Sequence, residues 1–210
     1  MQALLLSGPN HGFDTCVPHI AEGLNGLEDC ALTISSDKEI LASNELAQFD
    51  TCIFGTGFTT SAKGARKPDL TTAQEDGLFN FVSGGKGLVG IHGTAWWIGG
   101  RAVDLIGGHA NWHPPGLQFT VEIGPSQHPA IAGLSDFDVE DEIYISAHEP
   151  QLEILATATW HGKAHPLVWV KPFGKGRVFY TALGHGPGTY KQPGMQALLA
   201  QGLLWASKSI

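Results

Sequence analysis

The chain is poor in charge. Only 15% of its 210 residues are Asp, Glu, Lys or Arg, against about 25% in ordinary soluble domains. Disorder needs high charge and low hydrophobicity, and with 42% hydrophobic residues this chain has the reverse. Basic residues are fewer still: 12 Lys and Arg face 20 Asp and Glu, for a net charge of −8. That balance argues against a nucleic-acid or anionic-membrane binder, which needs a basic footprint. Cysteine is scarce too. Cys16, Cys30 and Cys52 cannot all pair, and none stands in a C-x-x-C or zinc-finger spacing. No apolar run approaches the ~20 residues of a membrane span, and Met1–Gly8 has no basic leader region. These absences point to a cytoplasmic protein. Internal repeats, low-complexity tracts and linkers are also missing, so a single domain over 1–210 is expected, of a size that buries a real core.

Glycine, proline and histidine are abundant. The 28 Gly and 12 Pro make nearly a fifth of the chain, where average usage gives about 12%. Ten histidines nearly equal the basic residues in number. The order of elements is legible in the first ninety residues. Ala3–Leu6 reads as a buried strand ending in a Ser-Gly-Pro-Asn-His-Gly loop, and 14–27 as a helix with Pro18 in its first turn. Strands follow at Cys30–Ile34, Phe49–Phe54 and Leu88–Ile91. The intervening helices are capped by Asp37, running to about Ala47, and by the Thr71–Gln74 capping box, running to Val82. Strands alternating with helices predict a parallel sheet covered on both faces. The second half changes to strand patterns at 117–123, 152–156, 166–171 and 177–183, the last two joined by a hairpin. A closing helix spans Gln192–Ala206.

Open α/β sheets bind ligands at the carboxyl ends of their strands. His11, His92 and His185 each follow a predicted strand there. Histidine titrates near neutrality and is the commonest metal ligand, so this convergence suits acid–base or metal chemistry. In Gly90-Ile-His-Gly93, His92 occupies the strand-to-helix turn where a G-x-S-x-G hydrolase carries its nucleophile. Imidazole is a poor covalent nucleophile for acyl transfer, and no cysteine falls at that elbow. His109 and His113 stand four apart, but Pro114 and Pro115 make a helix there improbable. His161 and His165 flank Gly162 and read as a solvated turn. The acidic run 138–144 reads as a solvated face, but within it Glu142 precedes Ile143 and can point inward as the carboxylate partner of a histidine, with His148 and Glu149 close by. Trp96, Trp97 and Trp112 stand among glycines beside histidines, a setting that suits platforms for sugar faces as well as core packing.

Several of these stretches together resemble the ThuA-like (trehalose-utilisation) family. They are Gly85-Lys-Gly-Leu-Val-Gly-Ile-His92, the Gly-Gly-His-Ala-Asn-Trp-His-Pro stretch at 107–114, and His128-Pro-Ala-Ile-Ala-Gly-Leu134. Asp141-Glu-Ile-Tyr144, Trp169–Val178 and Gly184-His185 continue the series in order, so the likeness covers about residues 1–206. It implies a class I glutamine amidotransferase-like (flavodoxin-like) α/β fold. The sheet would be mostly parallel and flanked by helices, with antiparallel additions in the C-terminal half. It also implies loss of the elbow cysteine of true amidotransferases, and a role in disaccharide catabolism beside oxidoreductases that make 3-keto sugars. The basic loop 56–68 departs from many relatives in lacking an aromatic.

The expected function is therefore a glycoside- or keto-glycoside-cleaving hydrolase or lyase, not a Cys-dependent amidotransferase. His92, His185 and Glu142 are its catalytic candidates. His11, Trp96, Trp112, His113, His148 and Tyr190 are candidates for substrate binding. A divalent metal such as zinc could be held by His11, His92, His113 and His185. The expected partner is a small sugar or keto-sugar, with neither nucleic acid nor membrane, and a homo-oligomer is compatible with the sequence. The competing expectation is a catalytically silent sugar-binding or regulatory module on the same scaffold.

Overall fold

A computed structural model of the chain describes all residues except Pro9, 56–58, 63–64, Asp69 and 98–100. The side chains of 10–11, 59–62, 65–68, 96–97 and 102 also lie outside the described residues. Five parallel strands form one half of the principal sheet: β1 (Gln2–Leu6), β2 (Ala31–Ser35), β3 (Thr51–Phe54), β6 (Gly87–Ile91) and β13 (Gly176–Thr181). The antiparallel half is β8 (Leu117–Ile123), β9 (Phe137–Asp141), β11 (Glu153–Trp160) and β12 (Lys163–Phe173). The nine run in the order β2-β1-β3-β6-β13-β12-β11-β8-β9. Strand β13 joins the halves, parallel to β6 on one side and antiparallel to β12 on the other. The hairpin β4 (Thr59–Ala62) with β5 (Ala65–Pro68), and the antiparallel pair β7 (Gly108–Trp112) with β10 (Ile145–His148), form two small separate sheets.

The central strands are buried on both faces, as the continuous apolar runs require: β3 and β6 have no exposed residue. Helices α1 (Val17–Leu24), α2 (Thr72–Ser83) and α6 (Pro193–Ala206) cover them. Short helices α3 (Thr94–Trp97), α4 (Ala102–Ile106) and α5 (Pro187–Tyr190) lie after the ends of parallel strands. On α2, Thr71 and Gln74 form the expected reciprocal capping box. Among the described residues no helix is long and apolar enough to cross a membrane.

Three expectations of local structure are corrected. The helix read over 14–27 begins as a 3-10 turn at Asn10–Thr15 and becomes α-helical only at Val17, where Pro18 fits the first turn. The helix read from Asp37 to Ala47 is two 3-10 turns, Lys38–Ala42 and Asn44–Gln48. Ser43 separates them: its backbone is extended, and its hydroxyl accepts from the Glu45 amide, starting a second turn. The acidic run 138–144 is not a solvated face throughout, because β9 alternates and turns Val139 and Asp141 inward.

Candidate functional site

The site is built where β6 and β13 end side by side. His92 follows β6 with φ +46°, a left-handed turn uncommon outside glycine. Its main chain is pinned from β13: its N–H donates to Thr181 O (2.7 Å), and its carbonyl accepts from the Tyr180 hydroxyl (2.8 Å). Thr94, one residue past the turn, donates to Phe54 O (2.7 Å) and so ties the elbow to β3. Gly90 leaves room for this packing, since a Cβ there would stand 3.1 Å from Tyr180 and Ile106.

The His92 ring is wholly buried. Its Nδ1 lies 2.8 Å from Ala182 O. A carbonyl can only accept, so Nδ1 carries a proton and the neutral ring keeps its lone pair on Nε2. The Tyr144 hydroxyl donates to that Nε2 at 2.8 Å. Glu142 Oε2 faces the same nitrogen at 3.6 Å. Two acceptors at that separation repel unless a positive charge lies between them, either the proton of an imidazolium or a cation.

Glu142 is the hub. Its Oε1 stands 3.3 Å from His113 Nδ1 and 3.3 Å from His185 Nδ1. His113 Nδ1 also lies 3.0 Å from Pro114 O, so it too is a donor. Burial alone would raise the Glu142 carboxyl, but the hydrogen bond from His185 and the charges of His185, His92 and His113 bring it below its ordinary 4.5. The Glu142 hydrogen bond in turn raises the His185 imidazole above 6.5, against the opposing effect of burial. One ligand atom each from His92, Glu142 and His185 falls within 4.8 Å of the others. Two imidazoles and a carboxylate are a donor set that suits zinc with an open fourth position.

Asp141, next to Glu142 and almost wholly buried, holds this arrangement. Its carboxylate accepts from the Gly184 amide (2.7 Å), the Thr189 hydroxyl (2.8 Å), the Glu142 amide (2.8 Å) and the His185 amide (3.2 Å). One side chain thus fixes the backbone under both Glu142 and His185. Gly184 has φ +120°, and any Cβ would meet the Tyr190 hydroxyl at 2.2 Å. A cleft of about 440 Å³ opens beside this centre, lined by Glu142, His185, Glu140, Thr189, Gly116 and Gln192 among others.

The structure brings His92, His185, Glu142 and His113 together. The side chains of His11 and Trp96 lie outside the described residues. Of the histidines expected to hold a metal, His113 meets the hub through Glu142, and the carboxylate itself joins His92 and His185 in the ligand group. Tyr190 is 1% exposed and donates to Gly184 O, so it shapes the His185 turn from behind rather than facing a ligand. His148 is exposed on β10, opposite Gly108, with Nδ1 3.2 Å from Glu149 O. Trp112, 53% exposed, packs its ring 5.8 Å from Trp160 outside the cleft. His109 lies on strand β7, with Nδ1 3.2 Å from Ala95 O. Burial pushes the Cys16 thiol up to about 11 and that of Cys52 to about 12, so neither supplies a thiolate nucleophile.

Sequence reasoning missed Asp141, Tyr144 and Tyr180 as parts of this centre. Only Asp141 had a local signal, its inward parity with Val139 on one strand.

Solved structures share this architecture. A ThuA-like protein from Bacteroides uniformis aligns with a TM-score of 0.77 at 20% identity, covering 98% of this chain and 91% of its own. One from Parabacteroides merdae aligns at 0.74 and 19% identity, covering 100% and 90%. A protein of Salmonella typhimurium, described as cytoplasmic, aligns at 0.70 and 13% identity, covering 98% and 99%. At these identities the likeness carries the fold. No curated protein matches the sequence. The family model described as trehalose utilisation matches residues 7–206, and by that match the chain belongs to the ThuA family.

Proposed function

We propose that the protein cleaves a keto-glycoside by histidine acid–base chemistry centred on Glu142. The observation that carries this reading is one buried carboxylate in contact with three imidazoles. A carboxylate that accepts Nδ1–H fixes the tautomer and raises the basicity of the other ring nitrogen, so Glu142 orients two working imidazoles at once. His185, 44% exposed at its side chain and favoured in the charged form by Glu142, is the acid. His113, with its Nδ1–H committed to Glu142 and Pro114 O, offers Nε2 as the base. His92 is too buried to touch a bound sugar, and when its Nε2 is protonated it holds Glu142 from behind.

The reaction is an elimination. His113 takes the proton from the carbon α to the keto group. The electron pair forms a carbon–carbon double bond as the glycosidic C–O bond breaks. His185 gives its proton to the departing oxygen, releasing a free sugar and an unsaturated keto sugar. With a divalent ion held by His92, Glu142 and His185 instead, His185 would be a ligand rather than the acid, and the ion would polarise the keto oxygen. The family description, trehalose utilisation, supports a carbohydrate substrate, and the cytoplasmic Salmonella relative supports the same compartment.

Single His185→Ala and His113→Ala variants that keep the wild-type circular dichroism should each lose at least ~100-fold in turnover of a 3-keto-disaccharide. Elemental analysis of the purified protein reports the ion. Sugar binding without turnover in the wild type would instead establish a silent binding module.

A further inference from the structure

The first βαβ unit carries a cavity that the Glu142 centre does not use. It lies between the carboxyl ends of β1 and β2 and the start of α1, with a volume of about 420 Å³. Small-molecule sites occupy about 300–1,000 Å³. In the strand order it stands three spacings, about 14 Å, from the β6–β13 junction that positions His92 and His185. The two sites share an edge of the sheet and no lining residue. Register sorts the lining. Ile34 stands opposite Leu5, and Ser36 and Ser7, each two residues further on, continue the face of that pair. Ser35 takes the other face. Its carbonyl accepts from the Ser7 amide (3.1 Å) and its hydroxyl from the Asp37 amide (3.0 Å), so it ties the strand ends together rather than facing a ligand. Ser7 is 6% exposed, and its hydroxyl makes one long contact, 3.5 Å to Gly8 O, which leaves a buried donor nearly unused. Asp14 reaches the cavity from the 3-10 turn Asn10–Thr15. It is exposed, and among the described residues no hydrogen bond or ion pair engages its carboxylate. Val17 and Ile34 form the apolar wall, and Ile34 is 51% exposed because β2 is the outermost strand.

We infer that this cavity binds a nucleoside, with its ribose diol on Asp14 and its base against Ile34 and Val17. A carboxylate accepts from both vicinal hydroxyls of a ribose at once, and the Ser7 hydroxyl is free to donate to a ribose oxygen. The two aliphatic side chains give one face of a base an apolar surface to cover. The ligand must therefore carry hydroxyls at one end and a flat, weakly polar body at the other. Position agrees with this chemistry: parallel βαβ units hold nucleosides outside their strand ends, with a carboxylate on the ribose. Asp14 is the one charged side chain lining the cavity among the described residues, and no Lys or Arg does. Nothing there balances a phosphate beside that carboxylate, so the ligand is the free nucleoside rather than a nucleotide.

Calorimetry with adenosine, 2′,3′-dideoxyadenosine and adenosine 5′-monophosphate tests this on the wild type and on the Asp14→Ala and Ile34→Ser variants. Both substituted side chains are exposed, so the variants should keep the wild-type circular dichroism. Adenosine should bind the wild type about tenfold tighter than the dideoxy compound, and Asp14→Ala should abolish that difference. Ile34→Ser should weaken both compounds alike, since both present the same base. The monophosphate should bind no tighter than adenosine. Wild type that takes up no adenosine at millimolar concentration overturns the site. A preference for adenosine that survives Asp14→Ala overturns the ribose contact, and unchanged binding in Ile34→Ser overturns the base contact. Tighter binding of the monophosphate overturns the free nucleoside as the ligand.

Discussion

Glu142 and His185 illustrate how a single contact sets two ionisation equilibria in opposite directions. The lowered carboxyl contributes stability above its ordinary 4.5, which is lost as pH falls through its depressed folded value. The raised imidazole contributes stability below 6.5, which is lost as pH rises through its elevated folded value. The contact therefore strengthens the fold between those two folded values and weakens toward either end. Glu142→Gln keeps the shape and removes the charge. In that variant the His185 titration followed by NMR should move down from above 6.5, and the alkaline loss of stability should flatten. An unchanged His185 midpoint would show that Glu142 is not what raises it. The roles of His92 and His185 as loop residues after strands were legible in the sequence, because strand ends could be read from apolar runs. The role of Glu142 was half legible: its inward side chain could be guessed from Ile143, but not the three imidazoles around it. Those contacts join residues 29 to 50 positions apart, and no local pattern carries them.

Elements were read best where their ends carry specific chemistry. The Thr71–Gln74 box starts α2 where expected. The segment 37–48 was misread because apolar spacing alone does not separate an α-helix from two 3-10 turns recapped by Ser43. Those turns nonetheless dictate a residue on their neighbour. Gly77 lies inside α2, where glycine costs about 1 kcal/mol relative to alanine. Its Cα faces the Lys38–Ala42 turn so closely that a Cβ would stand 1.7 Å from Leu41 O. That carbonyl is backbone and cannot swing aside. Gly77→Ala, which propensity alone would make stabilising, should instead destabilise by about 1–3 kcal/mol, read as a lowered urea midpoint at unchanged slope. A raised midpoint would mean that the 3-10 turn yields.

At the scale of the whole molecule the decisive element is β13. The sequence pattern separated a parallel first half from an antiparallel second half, and both are present. What it could not supply was the join, since strand order depends on pairings between distant segments. The strand from 176 to 181 returns to pair with β6 and places the turn leading to His185 next to the elbow of His92. Neither half is complete without it. Without β13, the N-terminal strands would leave the buried β6 with an open edge along Gly87–Ile91, and the Glu142 cluster would lack His185. Residues 1–210 should therefore unfold as one cooperative unit, and the distribution of tryptophan gives the test. All six tryptophans lie at position 96 or later, so intrinsic fluorescence reports the second half. Far-ultraviolet ellipticity, by contrast, reports both halves, through α1 and α2 in the first and α6 in the second. Urea unfolding followed by the two signals should give one superimposable transition, whereas two independently stable halves would give separated midpoints. A fragment of residues 1–125 should accordingly fail to show a cooperative transition, because the partner strand that closes β6 is encoded more than fifty residues beyond its end.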